Sequence, residues 1–121
     1  MSRIIALTPD LFFSTRIQST LERAGHAIRV VDSAEAVATQ VAEVSPGLAI
    51  LDIGAFGWPW EQVLADLRAA APDLPVLAYG SHMDVEATKR AQALGAARVV
   101  AKSEFVNNMP SLVTRYARSS E

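Results

Sequence analysis

Five short, largely aliphatic runs divide the chain: residues 4–7 (IIAL), 28–31 (IRVV), 48–52 (LAILD), 76–79 (VLAY) and 98–101 (RVVA). They are apolar nearly throughout rather than at alternate positions. That is the pattern of strands covered on both faces, as in a parallel sheet flanked by helices. A parallel sheet needs a crossover between successive strands, and each gap here is long enough to hold one.

The gaps carry the helical period. Phe13, Ile17, Leu21 and Ala24 fall on one face of a helix expected over 12–24, and Gly25 supplies its stop. Asp32 and Ser33, with Glu35 completing a capping-box pattern, predict a second helix that runs to Val44 and ends at Ser45-Pro46-Gly47. Val63, Leu64 and Leu67 share one face of a third helix over 60–71, broken by "APDLP". Ser81-His82-Met83-Asp84 offers a box-like cap for a fourth helix reaching Leu94, and Gly95 closes it. Asn107 and Asn108 precede a last helix with Pro110 in its first turn, ending near Arg118 before a fraying "RSSE". The β-α order with right-handed crossovers predicts a single α/β domain over 1–121, with five strands in a doubly wound parallel sheet.

Composition removes several classes of chemistry. The chain has 121 residues and no cysteine, so disulfides, thiolate metal sites and cysteine nucleophiles are excluded. The formal net charge is −2 and no basic block stands out, so nucleic acid is not an expected partner. No apolar run approaches the ~20 residues that span a bilayer, and "MSRIIALTPD" does not read as a signal peptide. The expectation is a cytoplasmic protein that does not engage membranes. Neither GxxxxGK[ST] nor a proper GxGxxG occurs, and "TPDLFFST" lacks the glycines of a flavin-phosphate loop.

In a doubly wound sheet the ligand edge lies beyond the carboxyl ends of the strands. The residues there are Thr8, Pro9 and Asp10 after the first run, Asp52 after the third, Gly80, Ser81 and His82 after the fourth, and Lys102 and Ser103 after the fifth. Asp52 is a carboxylate ending an apolar strand, which requires a partner. Lys102 is the expected cation, as a structural ion pair or as part of a functional site.

The stretch "PGLAILDIGAFGWPWEQVLADLR", with "LERAGHAIRVVDSAEAV", "PDLPVLAYGSH" and "ALGAARVVAKS", resembles the receiver domains of two-component response regulators along essentially the whole chain. The resemblance implies a CheY-like, flavodoxin-like fold. It places Asp52 at the phospho-acceptor and Lys102 at the lysine that contacts the phosphoryl group. It also implies a Mg²⁺ site built from acidic residues ending the first strand, but those positions hold Thr8 and Pro9. Asp10 is one residue further on, where it suits a helix cap. Gly80 replaces the family's hydroxyl residue, with Ser81 beside it as a substitute or a cap. Val99 replaces the aromatic switch residue, and Ser103 and Phe56 replace prolines.

These departures imply a degenerate receiver, or pseudo-receiver, with no metal, no cofactor and no enzymatic activity. Its expected role is phosphorylation-independent contact with a protein partner, a histidine kinase or another signalling protein. The alternative is a working receiver phosphorylated on Asp52, with Mg²⁺ held through a relocated Asp10 or Asp84. Two surfaces are candidates for contact. One is the aromatic loop Phe56, Trp58 and Trp60, with Trp58 expected to be the exposed anchor and Phe56 to plug the vacated metal pocket. The other is the face of the fourth helix, fifth strand and fifth helix, a possible homodimer surface with Lys89, Arg90, Arg98, Val99, Val106, Arg115 and Tyr116.

Overall fold

The computed structural model describes residues 2–117. Its strands are β1 (Arg3–Leu7), β2 (Ala27–Val31), β3 (Leu48–Asp52), β4 (Val76–Gly80) and β5 (Arg98–Ala101). All pairings are parallel, in the order β2-β1-β3-β4-β5. The sequence places each strand to within a residue at either end. β3 and β4 are buried along their whole length, which explains their unbroken apolar runs.

The helices are α1 (Leu11–Arg23), α2 (Val37–Val44), α3 (Trp60–Ala70), α4 (Val85–Ala93) and α5 (Lys102–Tyr116). Two apolar cores sandwich the sheet. Ile4, Ala6, Leu48, Ile50 and Leu77 pack with Ile17, Leu21 and Phe105 under α1 and α5. Ile5, Leu7, Ala49, Leu51 and Val76 pack on the opposite face with Val41, Val63 and Leu67 from α2 and α3. Successive strand residues thus feed opposite layers, as the pleat dictates. Among the described residues no helix is long and apolar enough to cross a membrane.

The helix punctuation holds at Gly25 and Gly95, which take φ of 95° and 105° after α1 and α4. It fails at the starts of α2 and α5. Asp32 and Ser33 make no capping bond to the backbone; Ser33 Oγ donates instead to Glu35 Oε2 at 2.7 Å, and a short 3₁₀ turn, Ala34–Ala36, precedes α2. The last helix begins at Lys102 rather than near Met109. Phe105, fully buried against Tyr79, holds the additional turns in place. Asn108 leaves helical geometry (φ −125°, ψ 20°) two residues before Pro110. Proline has no N–H to give and its ring crowds the carbonyl four residues back, so α5 kinks there. Pro110 therefore marks the start of the second half of α5. The expected helix end at Arg118 and the fraying "RSSE" lie outside the described residues.

Candidate functional site

The sheet order reverses between β1 and β3, and Asp52 ends β3 at that point. Asp52 is 3% exposed. Thr8, one residue past β1 and buried, donates its hydroxyl to Asp52 Oδ2 at 2.7 Å across the switch point. The amides of Gly54 and Ala55 donate to Oδ1 at 2.8 and 3.0 Å. Three neutral donors thus hold the charge.

The expected Asp52–Lys102 pair is not formed. Lys102 Nζ lies over the Phe13 ring, 4.3 Å from its centroid, and reaches Asp10 Oδ2 at 3.5 Å. The reason is local: the turn after β3 fills one oxygen of the buried Asp52 and Thr8 bonds the other, while the half-buried Asp10 carboxylate stands within reach of the lysine. Asp10 caps α1 as expected, its Oδ1 accepting from the Phe13 amide at 3.0 Å. That amide bond, with the Lys102 charge beside it, holds the Asp10 carboxyl below its ordinary range. Pro9 points to solvent.

Asp10, Asp52, Ala55, Tyr79, Ser81 and Lys102 line one cavity of about 320 Å³ at this edge. Gly80 also borders it, and an added Cβ there would come 2.8 Å from Ile53 Cγ1. Ile53 therefore fills the space a longer residue at position 80 would need. Ser81 is not a helix cap: its Oγ accepts from the Met83 amide at 3.1 Å, while Asp84 caps α4 by accepting from Ala87. His82 is exposed at this edge, and His26 lies in the α1–β2 turn far from it.

Tyr79 is the residue that sequence reasoning missed. It pairs in register with Asp52, is 1% exposed, and its ring is stacked on Phe105 at 4.9 Å with Phe13 edge-on at 5.1 Å. The hydroxyl is buried near Asp52 and Thr8, and it forms no hydrogen bond of proper geometry. Burial pushes the phenol well above the ordinary tyrosine range, and the Asp52 charge adds to it. The available signal was a tyrosine one residue before the end of a buried strand. Tyr79→Phe removes the desolvated hydroxyl at no cost in hydrogen bonds and is expected to raise stability by about 1 kcal/mol, read from the urea midpoint.

The aromatic loop is arranged opposite to expectation. Phe56 is fully exposed, whereas Trp58 and Trp60 are each 8% exposed and belong to the core under α3. The Trp58 amide bonds the Ala55 carbonyl at 3.3 Å, making Phe56 and Gly57 the centre of a turn. Gly57 takes φ 75°, as the third position of a type II turn requires. The reversal throws Phe56 outward and returns Trp58 to the core.

On the other candidate face, Arg98 bonds Tyr116 Oη at 3.2 Å and lies 3.6 Å from Glu104. The Arg98 bond holds the Tyr116 phenol below its ordinary range. Arg90 pairs with Glu61 at 2.7 Å, so much of the expected basic surface is neutralised within the chain. Val99 is half-buried against the core, while Lys89 and Arg115 are exposed and Val106 is half-buried.

No protein-family model and no curated protein sequence matches the chain. Solved structures do. The receiver domain of NtrX from Brucella abortus matches with a TM-score of 0.83 and 21% identity, over 93% of this chain and 96% of that one. The BeF3-activated N-terminal receiver domain of Klebsiella pneumoniae RstA gives 0.84 and 19%, over 97% and 99%. Vibrio cholerae chemotaxis protein CheY4 gives 0.84 and 14%, over 96% and 98%. Against a longer NtrX structure the chain spans 26% of that chain's length. The fold is that of CheY-like receiver domains.

Proposed function

We propose that the chain is a pseudo-receiver: a non-enzymatic, cytoplasmic domain that binds a signalling protein without being phosphorylated. One observation carries this reading. Every carboxylate oxygen of Asp10 and Asp52 already accepts a hydrogen bond from the chain itself, from Phe13, Lys102, Gly54, Ala55 and Thr8. Mg²⁺ needs near-octahedral oxygen ligands, usually with one or two carboxylates, whereas here the Lys102 ammonium stands at Asp10 and the residues that follow β1, Thr8 and Pro9, carry no charge. The residues present do not fit that ion, and Asp84, the other acid considered as a ligand, is committed to capping α4. A phosphoryl group approaching Asp52 would meet two carboxylates with only Lys102 to offset them.

The second reading, phosphorylation on Asp52, is favoured by the shared cavity of Asp52 and Lys102. Incubation with acetyl phosphate and Mg²⁺, followed by intact-mass measurement, separates the two. The expected product is unmodified protein. Addition of one phosphoryl group, absent in Asp52→Asn, would establish the second reading instead. A homodimer through α4, β5 and α5 is the weaker contact proposal, because Arg90 and Arg98 are already paired.

A further inference from the structure

Among the described residues the exposed large apolar side chains are Leu11, Phe12, Phe56, Met83, Val85 and Leu94. All but Leu94 stand at the carboxyl edge of the sheet: in the first turn of α1, at the tip of the β3–α3 turn, and at the entry to α4. The strands these segments follow, β1, β3 and β4, are neighbours, so the segments border one opening. That opening is the cavity above Asp52. Asp10 precedes Leu11, Ala55 precedes Phe56, Ser81 lies two residues before Met83, and all three line it. Phe12 and Phe56 are 90% and 106% exposed. Exposed aromatic side chains around a concave centre have the form of an interaction site.

Charge selects what fits. The segments at this edge, residues 8–13, 32–37, 52–61, 80–86 and 102–105, hold Asp10, Asp32, Glu35, Glu61, Asp84 and Glu86 besides Asp52 and Glu104. Arg90 and Arg98, from outside these segments, pair with Glu61 and Glu104, and Lys102, the one Lys or Arg within them, faces Asp10, so the acidic charge of the edge rests on Asp32, Glu35, Asp84 and Glu86 besides Asp52. Within the cavity two carboxylates stand against that single ammonium. Asp52 Oδ2 takes one donor and keeps a further acceptor site, and Tyr79, whose buried hydroxyl has no partner, is among the residues that line the same cavity.

We propose that this edge docks a basic amphipathic segment of a partner protein. An Arg or Lys side chain enters the Asp10–Asp52 cavity, and neighbouring apolar side chains lie on Phe12, Phe56 and Met83. An organic cation suits the cavity where Mg²⁺ does not, because it donates to the acceptor sites left over and needs no full shell of oxygens. A second copy of this chain fits less well. Its opposite edge offers Arg3, Arg23 and Arg68 for charge, but among the exposed large apolar residues only Leu94 lies towards it. Such a head-to-tail contact also would not close into a dimer. The inference rests on the pseudo-receiver reading, since a metal ion would take the same carboxylates.

The test is an amide NMR titration of the protein with a synthetic amphipathic Leu/Arg helical peptide, run beside its Leu/Glu counterpart. The Leu/Arg peptide is expected to saturate, to shift the amides of Gly54, Ala55 and Ser81, and to weaken as salt rises. Phe12→Ser combined with Phe56→Ser is expected to cut affinity at least about tenfold, since two exposed rings leave the contact without disturbing the core. Asp10→Asn is expected to reduce the salt dependence. Equal binding of the Leu/Glu peptide, unchanged affinity in the double serine variant, shifts confined to the amino edge, or self-association that excludes the peptide would each overturn the proposal. Phosphoryl transfer to Asp52 in the mass assay would defeat the pseudo-receiver reading itself. Absent peptide binding with an unmodified Asp52 would defeat this inference alone.

Discussion

Phe105→Ala is expected to lower the unfolding free energy by about 3–5 kcal/mol, the usual cost of truncating a buried aromatic ring. Phe105 has no exposed surface, stacks on Tyr79 at 4.9 Å with the ring planes 11° apart, and lies 6.1 Å from Phe13. Three aromatic rings meet there under α1 and α5, so the cavity left behind could not collapse without moving one of those helices. The loss is large against a total stability of about 5–15 kcal/mol for an ordinary domain. Urea denaturation measures it directly. Phe105 is the one buried side chain in 102–108, so amide exchange there is expected to accelerate more than exchange in β1 or β3. A loss below about 1 kcal/mol would show that α5 does not depend on this ring.

The second large effect concerns Asp52. Asp52→Ala leaves the Thr8 hydroxyl and the amides of Gly54 and Ala55 without their acceptor, and each orphaned buried donor costs about 1–3 kcal/mol. Gly54 is exposed and Ala55 half-buried, so water recovers part of that. The expected net loss is about 3 kcal/mol. Asp52→Asn keeps an acceptor for the two amides, and its loss is expected to stay within about 1 kcal/mol.

Lys102→Met separates this account from a structural Asp52–Lys102 ion pair. Lys102 and Asp10 form a half-exposed contact at 3.5 Å, worth at most about 1 kcal/mol. Breaking a buried pair would instead cost about 3–5 kcal/mol by stranding Asp52. In thermal or urea melts Asp52→Ala is expected to be the least stable of the three variants, with Asp52→Asn and Lys102→Met close to the parent chain. Damage from Lys102→Met as large as that from Asp52→Ala would restore the ion pair.

The strands were readable because burial on both faces leaves a continuous aliphatic run, and that signal does not depend on knowing the partners. Capping by Asp10 was readable for the same local reason, since its acceptor and the Phe13 amide are three residues apart. Contacts that cross the fold were less so. Asp52 looked destined for Lys102 because both end strands at one edge, yet the nearest donors were two and three residues downstream in "DIGA". An Asx-type turn was legible there and outweighed the distant charge.

Phe56 and Trp58 exchanged roles because aromatic character does not say which way a turn points; the glycine between them does. The opening half of α5 went unseen because Pro110 is a strong start signal, while Lys102–Phe105 gains its helical order from a ring packed against another strand. Tyr79 shows the same limit. Its type was visible, but not that its hydroxyl would arrive beside Asp52 without a partner.

The central claim is that Thr8, Gly54 and Ala55 hold the Asp52 carboxylate in place of a metal ion. Titrating Mg²⁺ with beryllofluoride into ¹⁵N-labelled protein tests it most directly, by following the amide signals of Gly54 and Ala55. The account predicts that both stay where they are through millimolar Mg²⁺, with and without the phosphoryl mimic. A saturable shift of either signal that needs Mg²⁺ and vanishes in Asp52→Asn would contradict it.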